Sequence, residues 1–304
     1  MISKNFVYDF GHIRVDDVHE IYYEQYGNPD GKPILFLHGG PGAGCSTFQR
    51  KFFDEKIHRV IFIDQRGSGK SKPYSETTKN TTKDLLNDIE KIRILLKIEK
   101  WLIFGGSWGS TLAILYGINF PQHCLGFVLR GIFLGTLDEI NWFLYGMEKF
   151  FPESYYKFIN DVPISERNNI LGWYHKMLHS KNKEKAYKVA AKWSQYEISC
   201  STLKYEDRSN SSYDSLAIAK IESHYFINNC FIKDNFIIEN IKNIENIPSI
   251  IIQGRHDVIC PPFNALKLSN VWESSKIYIV EDGSHSAFEK EMFSKIRKSL
   301  EEIY

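Results

Sequence analysis

Gly105-Gly106-Ser107-Trp108-Gly109 lies between two short apolar segments of the chain. The segment before it, residues 101–104, indicates a buried strand, and the segment after it, residues 111–116, indicates a helix packed on one face. A serine on such a strand-to-helix turn is held in a strained conformation that lifts its hydroxyl clear of the sheet. Glycines flank the serine because a Cβ there would clash where strand and helix meet. We therefore predict Ser107 as a nucleophile and the amide of Trp108 as an oxyanion donor.

A serine hydroxyl needs a base, and the base needs an acid to orient it. In chains with this turn, the acid and then the histidine follow the serine in sequence. Asp257 directly follows a late apolar strand predicted for residues 248–253, and His285 follows the next one, predicted for residues 276–280. Each residue alone could belong to an ordinary turn or helix cap. Their order and their positions at the ends of consecutive strands predict a catalytic triad with Ser107.

A glycine-rich loop near the start of the chain supplies a second candidate oxyanion donor. The apolar strand predicted for residues 34–37 runs directly into His38-Gly39-Gly40-Pro41-Gly42. Glycines allow the backbone to approach a reacting carbonyl and to present an amide to it. We assign the second donor to the amide of Gly39 or Gly40 and favour Gly40. A simple Gly-Pro turn is the alternative, which the position directly after a core strand disfavours.

Four motifs together resemble those of the proline iminopeptidases, α/β-hydrolase enzymes that remove an N-terminal proline from peptides. The motifs are residues 38–42, Asp64-Gln65-Arg66-Gly67-Ser68-Gly69-Lys70-Ser71, residues 105–109 and Gly254-Arg255-His256-Asp257. The resemblance spans nearly the whole chain. It implies an α/β-hydrolase fold, with a mostly parallel central sheet and helices on both faces, and a serine exopeptidase that needs no metal or organic cofactor. One departure is His256, where the family more often has tyrosine.

Residues 134–243 interrupt the alternation of strands and helices with aromatic-rich, helix-like segments. We predict that they form a helical cap domain over the site, and that residues 1–133 and 244–304 form the α/β-hydrolase catalytic core. Two cap segments are similar to the family's Trp-x-x-Trp-Glu and Glu-x-His-Tyr-Phe elements, although Tyr196 replaces the second tryptophan. The resemblance implies that Glu197 and Glu222 hold the free amino terminus of the substrate.

Physical chemistry is consistent with such an amine clamp, the name used below for Glu197 and Glu222. A prolyl N-terminus is a protonated secondary amine with two N–H donors, and each carboxylate can accept one in a charge-assisted bond of about 1.5–3 kcal/mol. The clamp would reject peptides blocked at the amino end and would place the cut after the first residue. The alternative is that both glutamates are solvated helix residues. By resemblance, an apolar slot for the proline ring would be lined by Phe133, Phe143, Phe226 and Cys260, for which ordinary core packing is the alternative.

Composition excludes several other classes of protein. The formal charge of +1 gives no general attraction to nucleic acid or acidic membranes. No apolar stretch approaches the roughly 18 residues of a membrane span, and residues 1–10 lack the apolar region of a secretion signal. Five cysteines without a C-x-x-C pair predict reduced thiols in a cytoplasmic compartment and no zinc site. The lysine-rich stretch from Lys176 to Lys192 predicts a solvated outer face of the cap.

Two other functions remain open from the sequence. A carboxylesterase-type serine hydrolase of the same fold would share the triad but would not need Glu197 and Glu222. A ligand-binding receptor on a hydrolase scaffold could keep an intact triad and retain its product. The expected partners are peptides with a free N-terminal proline, and neither nucleic acid nor membrane is expected. The sequence does not predict the oligomeric state, the preferred peptide length or the range of N-terminal residues accepted.

Overall fold

The computed structural model describes residues 6–204 and 215–303, which contain one eight-stranded sheet flanked by helices. The strands are β1 Val7–Arg14, β2 Glu20–Gly27, β3 Lys32–Leu37, β4 His58–Asp64, β5 Trp101–Ser107, β6 Cys124–Ile132, β7 Ser249–Gly254 and β8 Ser275–Val280. Their spatial order is β1-β2-β4-β3-β5-β6-β7-β8. The β1–β2 and β2–β4 pairs are antiparallel, and every later pair is parallel. The carboxyl ends of β3, β5, β6, β7 and β8 therefore meet at one edge.

The central strands are mostly apolar because helices cover both faces of the sheet. Every residue of β5 and β7 is buried, whereas β1 at the sheet edge alternates half-buried and exposed residues. On one face, Phe36 stacks on Phe104 with ring centroids 5.3 Å apart, and both rings are buried. Since the core strands are fixed on both faces, the loops that leave their carboxyl ends are held in place.

The α-helices are α1 Thr82–Leu95, α2 Trp108–Asn119, α3 Leu137–Asn141, α4 Pro152–Ile159, α5 Ile170–Leu178, α6 Lys183–Cys200, α7 Ser215–Ile227, α8 Phe236–Asn240, α9 Pro262–Ser269 and α10 Lys290–Glu302. Residues 142–146 form a π-helical turn between α3 and α4. The helix predicted for residues 81–96 is α1, and Thr81 and Asp84 close its start as a capping box. None of the described helices is long and apolar enough to cross a membrane.

Six of these helices, α3 to α8, lie between β6 and β7 in the chain, as the interrupted pattern predicts. Buried aromatic rings hold several of them together. Phe158 of α4 stacks on Tyr174 of α5 and on Tyr196 of α6, with ring centroids 4.5 Å and 4.4 Å apart. Tyr196, which replaces a tryptophan of the family pattern, is buried and donates its hydroxyl to the carbonyl of Phe143 at 3.1 Å. A tyrosine is therefore accommodated at this buried position, because its hydroxyl has a hydrogen-bond partner.

The outer surface of this helical segment carries the lysine-rich stretch predicted to be solvated. Its lysines are exposed apart from Lys192, which is half-buried and pairs with Asp161 at 2.8 Å. The last helix differs from its prediction. The apolar spacing of Phe288, Met292, Ile296 and Leu300 predicts a helix over residues 287–303 with Phe288 on its buried side, but α10 begins at Lys290 and Phe288 is exposed. The chain turns before it because the carboxylate of Glu289 binds Ser284 and not the first turn of the helix.

Candidate active site

Ser107 ends β5 in a conformation that side chains rarely adopt, with φ 56° and ψ −129°. The turn is possible because its neighbours lack side chains. A Cβ at Gly105 would lie 2.2 Å from the carbonyl oxygen of Gly109, and one at Gly109 would lie 2.2 Å from that of Leu37. Ser107 keeps 9 % of its surface exposed at the junction of strand and helix. The structure thus places this hydroxyl at the sheet edge where the parallel strands end.

His285 and Asp257 lie together on the loops that follow β8 and β7. His285 Nδ1 is 2.9 Å from Asp257 Oδ2 and 3.1 Å from Oδ1. The same carboxylate accepts the amide of Cys260 at 2.8 Å and the side-chain amide of Gln253 at 3.1 Å. Both side chains are almost fully buried. An aspartate bonded at Nδ1 orients the imidazole and fixes its proton on that nitrogen, which leaves Nε2 to act as the base.

The oxyanion loop, residues 38–42, lies directly beside Ser107. A Cβ built on Gly39 would lie 3.3 Å from Ser107 Cβ and 3.9 Å from its Oγ. Gly40 has φ +101°, and a Cβ there would lie within 3 Å of the backbone nitrogens of Gly42 and Ala43. Glycine is therefore required at position 40 by both conformation and space. On the other side, Trp108 begins α2, where helix amides have no intrahelical acceptor.

Gln65 joins the two sides of this oxyanion site, a role that the sequence analysis did not assign. Its side-chain amide accepts from Trp108 Nε1 at 2.8 Å and donates to the carbonyl of His38 at 2.9 Å. Its backbone amide donates to His38 Nε2 at 3.0 Å. The Asp-Gln-Arg-Gly motif is the signal that could have found it, since a glutamine at the end of a buried strand needs partners.

Arg130 is a second residue that the sequence analysis missed. It lies at the end of β6 and donates from Nη1 to the carbonyl of His285 at 3.0 Å, and the same nitrogen is 3.5 Å from His285 Nε2. Burial lowers the pKa of its guanidinium, an effect that the charge of Asp257 opposes. A charged residue inside an apolar strand costs free energy unless it has a partner. The arginine in Leu129-Arg130-Gly131 was therefore the sequence signal that could have identified this contact.

Cys260 contacts the nucleophile as well as the acid. Its thiol lies within hydrogen-bonding reach of the Ser107 hydroxyl, and burial, followed by the charge of Asp257, raises the pKa of that thiol. The thiol is thus neutral at ordinary pH and presents a small apolar surface next to Ser107. These contacts place Cys260 beside the nucleophile and the acid, and its role in an apolar slot stays a prediction.

The amine clamp lies within the inserted helices, where Glu222 is buried and Glu197 is half-buried. Glu222 on α7 accepts the indole N–H of Trp193 at 2.5 Å, and Glu197 on α6 has an oxygen, Oε2, that is buried without any hydrogen-bond partner. Burial raises the pKa of Glu197 to about 7. Burial, and then the charge of Glu197, raises the pKa of Glu222. Two carboxylates that raise each other's proton affinity in this way would be stabilised in their charged form by a bound cation.

Aromatic rings connect the clamp to the nucleophile. Phe143 lies 5.4 Å from Trp193 and 5.7 Å from Phe226, and Phe226 lies 6.0 Å from Phe133, measured between ring centroids. Phe133 in turn accepts at its carbonyl from Thr111 in the helix that follows Ser107, at 2.6 Å. All three phenylalanines predicted for the slot are therefore in one contiguous set between the amine clamp and α2.

Within residues 6–204 and 215–303, no group of three or more histidine, cysteine, aspartate or glutamate side chains is arranged to hold a metal ion. All five cysteines are free of disulfides. A buried serine, histidine and aspartate at the carboxyl edge of a parallel sheet are typical of acyl transfer through a serine.

The fold and this edge define an α/β hydrolase. A family model described as the alpha/beta hydrolase fold matches residues 32–291. A solved structure of proline iminopeptidase from Mycobacterium smegmatis superposes with a TM-score of 0.64 at 16% identity, covering 97% of this chain and 98% of that chain. At this identity the likeness concerns the fold alone. The predicted fold class is confirmed.

Sequence relatives narrow the class to one family. The chain is 44% identical to a proline iminopeptidase from Arabidopsis thaliana over 93% of its length and 76% of the relative. It is 41% identical to a proline iminopeptidase from Neisseria meningitidis serogroup A, over 96% of its length and 95% of the relative. The chain belongs to the proline iminopeptidase family, as the four motifs predict.

Proposed function

We propose that this protein is a serine aminopeptidase that releases proline from the free amino end of peptides. The observation that carries the proposal is the pair Glu197 and Glu222: Oε2 of Glu197 is buried without a hydrogen-bond partner, and the charge of Glu197 raises the pKa of Glu222, so a bound cation would stabilise both carboxylates in their charged form. A protonated prolyl nitrogen has the charge and the two N–H donors to satisfy them. The names of the relatives support this assignment.

The first step in this proposal fixes the substrate. The clamp takes the secondary ammonium, and the ring set of Phe133, Phe143 and Phe226 surrounds the pyrrolidine. Because the clamp binds the first residue, the carbonyl that reaches Ser107 is that of the same residue, so cleavage removes one residue only. A blocked nitrogen would leave the carboxylates buried and unpaired, which costs far more than a lost contact.

The second step is acyl transfer to Ser107 and then to water. His285 accepts the hydroxyl proton through Nε2 as the oxygen attacks the prolyl carbonyl, while Asp257 holds Nδ1 and stabilises the cation that forms. The amides of Trp108 and Gly40 bind the oxyanion. His285 then gives its proton to the leaving amine. Water repeats the cycle on the acyl-enzyme and frees proline.

Several finer expectations stay predictions alongside this proposal. The division into a core of residues 1–133 and 244–304 and a cap of residues 134–243 is our interpretation of the helices inserted between β6 and β7. The cytoplasmic compartment rests on the reduced cysteines alone. The expectation that neither nucleic acid nor membranes are partners rests on charge and composition.

The test compares free and blocked substrates on the wild type and on Ser107→Ala. We expect release of proline from Pro-Gly-NH2 and none from N-acetyl-Pro-Gly-NH2, because the acetyl group removes the charge that the clamp needs. Ser107→Ala should lower kcat/KM by at least about 1000-fold, since the nucleophile is lost while the fold remains. Ser299→Ala, which removes a buried hydroxyl remote from the site, is the matched control.

Each alternative function gives a different result in the same assay. Hydrolysis of simple acetate esters with equal rates on free and blocked prolyl substrates would identify an esterase and contradict the proposal. Slow turnover with tight retention of proline would indicate a binding protein. Unchanged proline release by Ser107→Ala would exclude this serine as nucleophile.

A further inference from the structure

A cavity of about 530 Å³ lies between the inserted helices and the acid loop, the name used here for residues 254–262. This volume is within the range of sites that bind small organic molecules. Its walls are mostly apolar and come from three segments: residues 142–151, residues 202–203 and the acid loop. The lining residues used below are Trp142, Phe150, Phe151, Leu203, Arg255 and His256.

The aromatic wall of this cavity is fixed on one side and open on the other. Trp142 donates its indole N–H to the carbonyl of Val258 at 2.7 Å, so its ring is anchored to the acid loop. Phe150 lies 6.1 Å from Trp142 between ring centroids and is 61% exposed. A ring so exposed beside an anchored one gains burial when an apolar group enters.

The cavity lies on the side of the catalytic histidine. Asp257, which holds His285, belongs to its wall. The opposite wall, residues 202–203, directly follows Ser201, whose carbonyl accepts from Ser284 Oγ and from the amide of Ser286, both at 2.9 Å. The two neighbours of His285 are thus bonded to the segment that forms the cavity.

Chemistry determines which part of a substrate extends to this side. In the proposed reaction, His285 gives its proton to the leaving amine, so that nitrogen must lie at the imidazole. The residues that follow proline therefore leave the reaction centre on the side of His285. We propose that the cavity receives the side chain of the residue after the N-terminal proline and favours a large apolar or aromatic one. This inference rests on the proposed function.

The charges at the cavity favour an apolar occupant over a carboxylate. Arg255 is the only guanidinium among its lining residues, and both of its bonded nitrogens already donate to Glu281, at 3.0 Å and 2.9 Å. A peptide carboxylate would have to compete with this pair. His256, the position where the chain departs from its family, is exposed at the same wall. The specificity of this cavity is accordingly a property of this chain's own residues.

The test measures kcat/KM for Pro-Phe-NH2 and Pro-Gly-NH2 by the release of proline. We expect the wild type to favour Pro-Phe-NH2, and Phe150→Ala to lower the ratio of the two values about ten-fold, since an apolar contact of this size is lost. Phe150→Leu should restore part of the ratio. Tyr156→Ala is the matched control, because Tyr156 is an aromatic residue of the following helix, α4, that is 68% exposed and does not line the cavity.

The outcomes separate this inference from the function on which it rests. If neither substrate releases proline, the proposed function fails. If both substrates release proline but Phe150→Ala keeps the ratio of their kcat/KM values within about two-fold of the wild-type ratio, the cavity does not hold the leaving residue. The same conclusion follows if Tyr156→Ala changes this ratio as much as Phe150→Ala does. Phe150 is a surface residue, so Phe150→Ala should unfold at nearly the wild-type temperature. A changed ratio of kcat/KM values is then an effect on binding and not on folding.

Discussion

Gln65 is the residue on which the geometry of both oxyanion donors depends. It is buried at the end of β4 and bonds to Trp108 on one side and to His38 on the other. Neither of these bonds touches a substrate. They set the distance between the oxyanion loop and the first turn of α2, and a shift of about 1 Å in such a site can cost 100-fold in rate.

We expect Gln65→Met to lower kcat about 10- to 100-fold with little change in KM, because methionine fills the space but leaves both hydrogen bonds unmade. The unpaired indole N–H of Trp108 should also cost about 1–3 kcal/mol of stability. Steady-state kinetics on Pro-Gly-NH2 and chemical denaturation measure the two effects. Gln122→Met, at an exposed position, is the control. A raised KM with unchanged kcat would place Gln65 in ground-state binding instead.

Residues differ in how far their positions follow from sequence. Ser107, Asp257 and His285 could be predicted because each follows an apolar strand, and parallel strands bring their carboxyl ends together. Arg130 could not be assigned a partner, since the approach of its guanidinium to His285 depends on how two distant loops pack. The Trp193–Glu222 bond was likewise not predictable, because it joins two helices whose packing has no linear signal.

Helix α6 and the loop that carries His285 are joined as one unit. The carbonyl of Ser201, just past the end of α6, accepts from both neighbours of His285. Glu289 adds three bonds: it accepts from the amide and the hydroxyl of Ser284, each at 2.7 Å, and from the amide of Leu203 at 2.8 Å. The helix that carries Glu197 is therefore tied directly to the loop of the general base.

Glu289→Ala should disorder this connection and misplace His285. We expect kcat to fall about ten-fold on peptide and ester substrates alike, because both need the same base, while KM changes little. Glu291→Ala, at an exposed position two residues further along in the first turn of α10, is the matched control. A loss confined to free-amine substrates would mean that Glu289 acts on the amine clamp and not on the histidine.

Element boundaries were predicted less well than element order. The strands at 101, 249 and 275 and the helix at 82 were expected within a few residues, since buried apolar runs and a capping box mark them. The start of α10 was predicted three residues early because Phe288 fits the apolar spacing of the helix, although Glu289 lies before its first turn. Its carboxylate is instead used by Ser284 and Leu203, contacts that only the folded chain reveals.

In the folded chain as a whole, the amine clamp makes stability depend on pH. Both carboxylates have folded pKa values above the ordinary 4.5 of glutamate, about 7 for Glu197. The native state therefore binds more protons than the unfolded chain between these values. By linkage, the free energy of unfolding falls as pH rises through this interval, because the clamp must then hold charge without a partner.

The variant Glu222→Gln should remove this cost, and its Tm should exceed that of the wild type by about 2–4 °C at pH 8, equivalent to roughly 1 kcal/mol, with a smaller difference at pH 5. Saturating prolinamide should stabilise the wild type more at pH 8 than at pH 5, since its ammonium supplies the missing charge, and should stabilise the variant less at pH 8. Thermal unfolding scans at both pH values measure these effects. Other buried groups titrate too, so the test is the difference in Tm between the variant and the wild type, and not the wild-type curve alone.

Glu239→Gln, which removes a surface carboxylate that pairs with Lys233 at 3.1 Å, is the control and should show no such pH-dependent gain in Tm. Equal Tm differences at pH 5 and pH 8 would contradict a buried, proton-sharing pair and with it the physical basis for binding a prolyl amine.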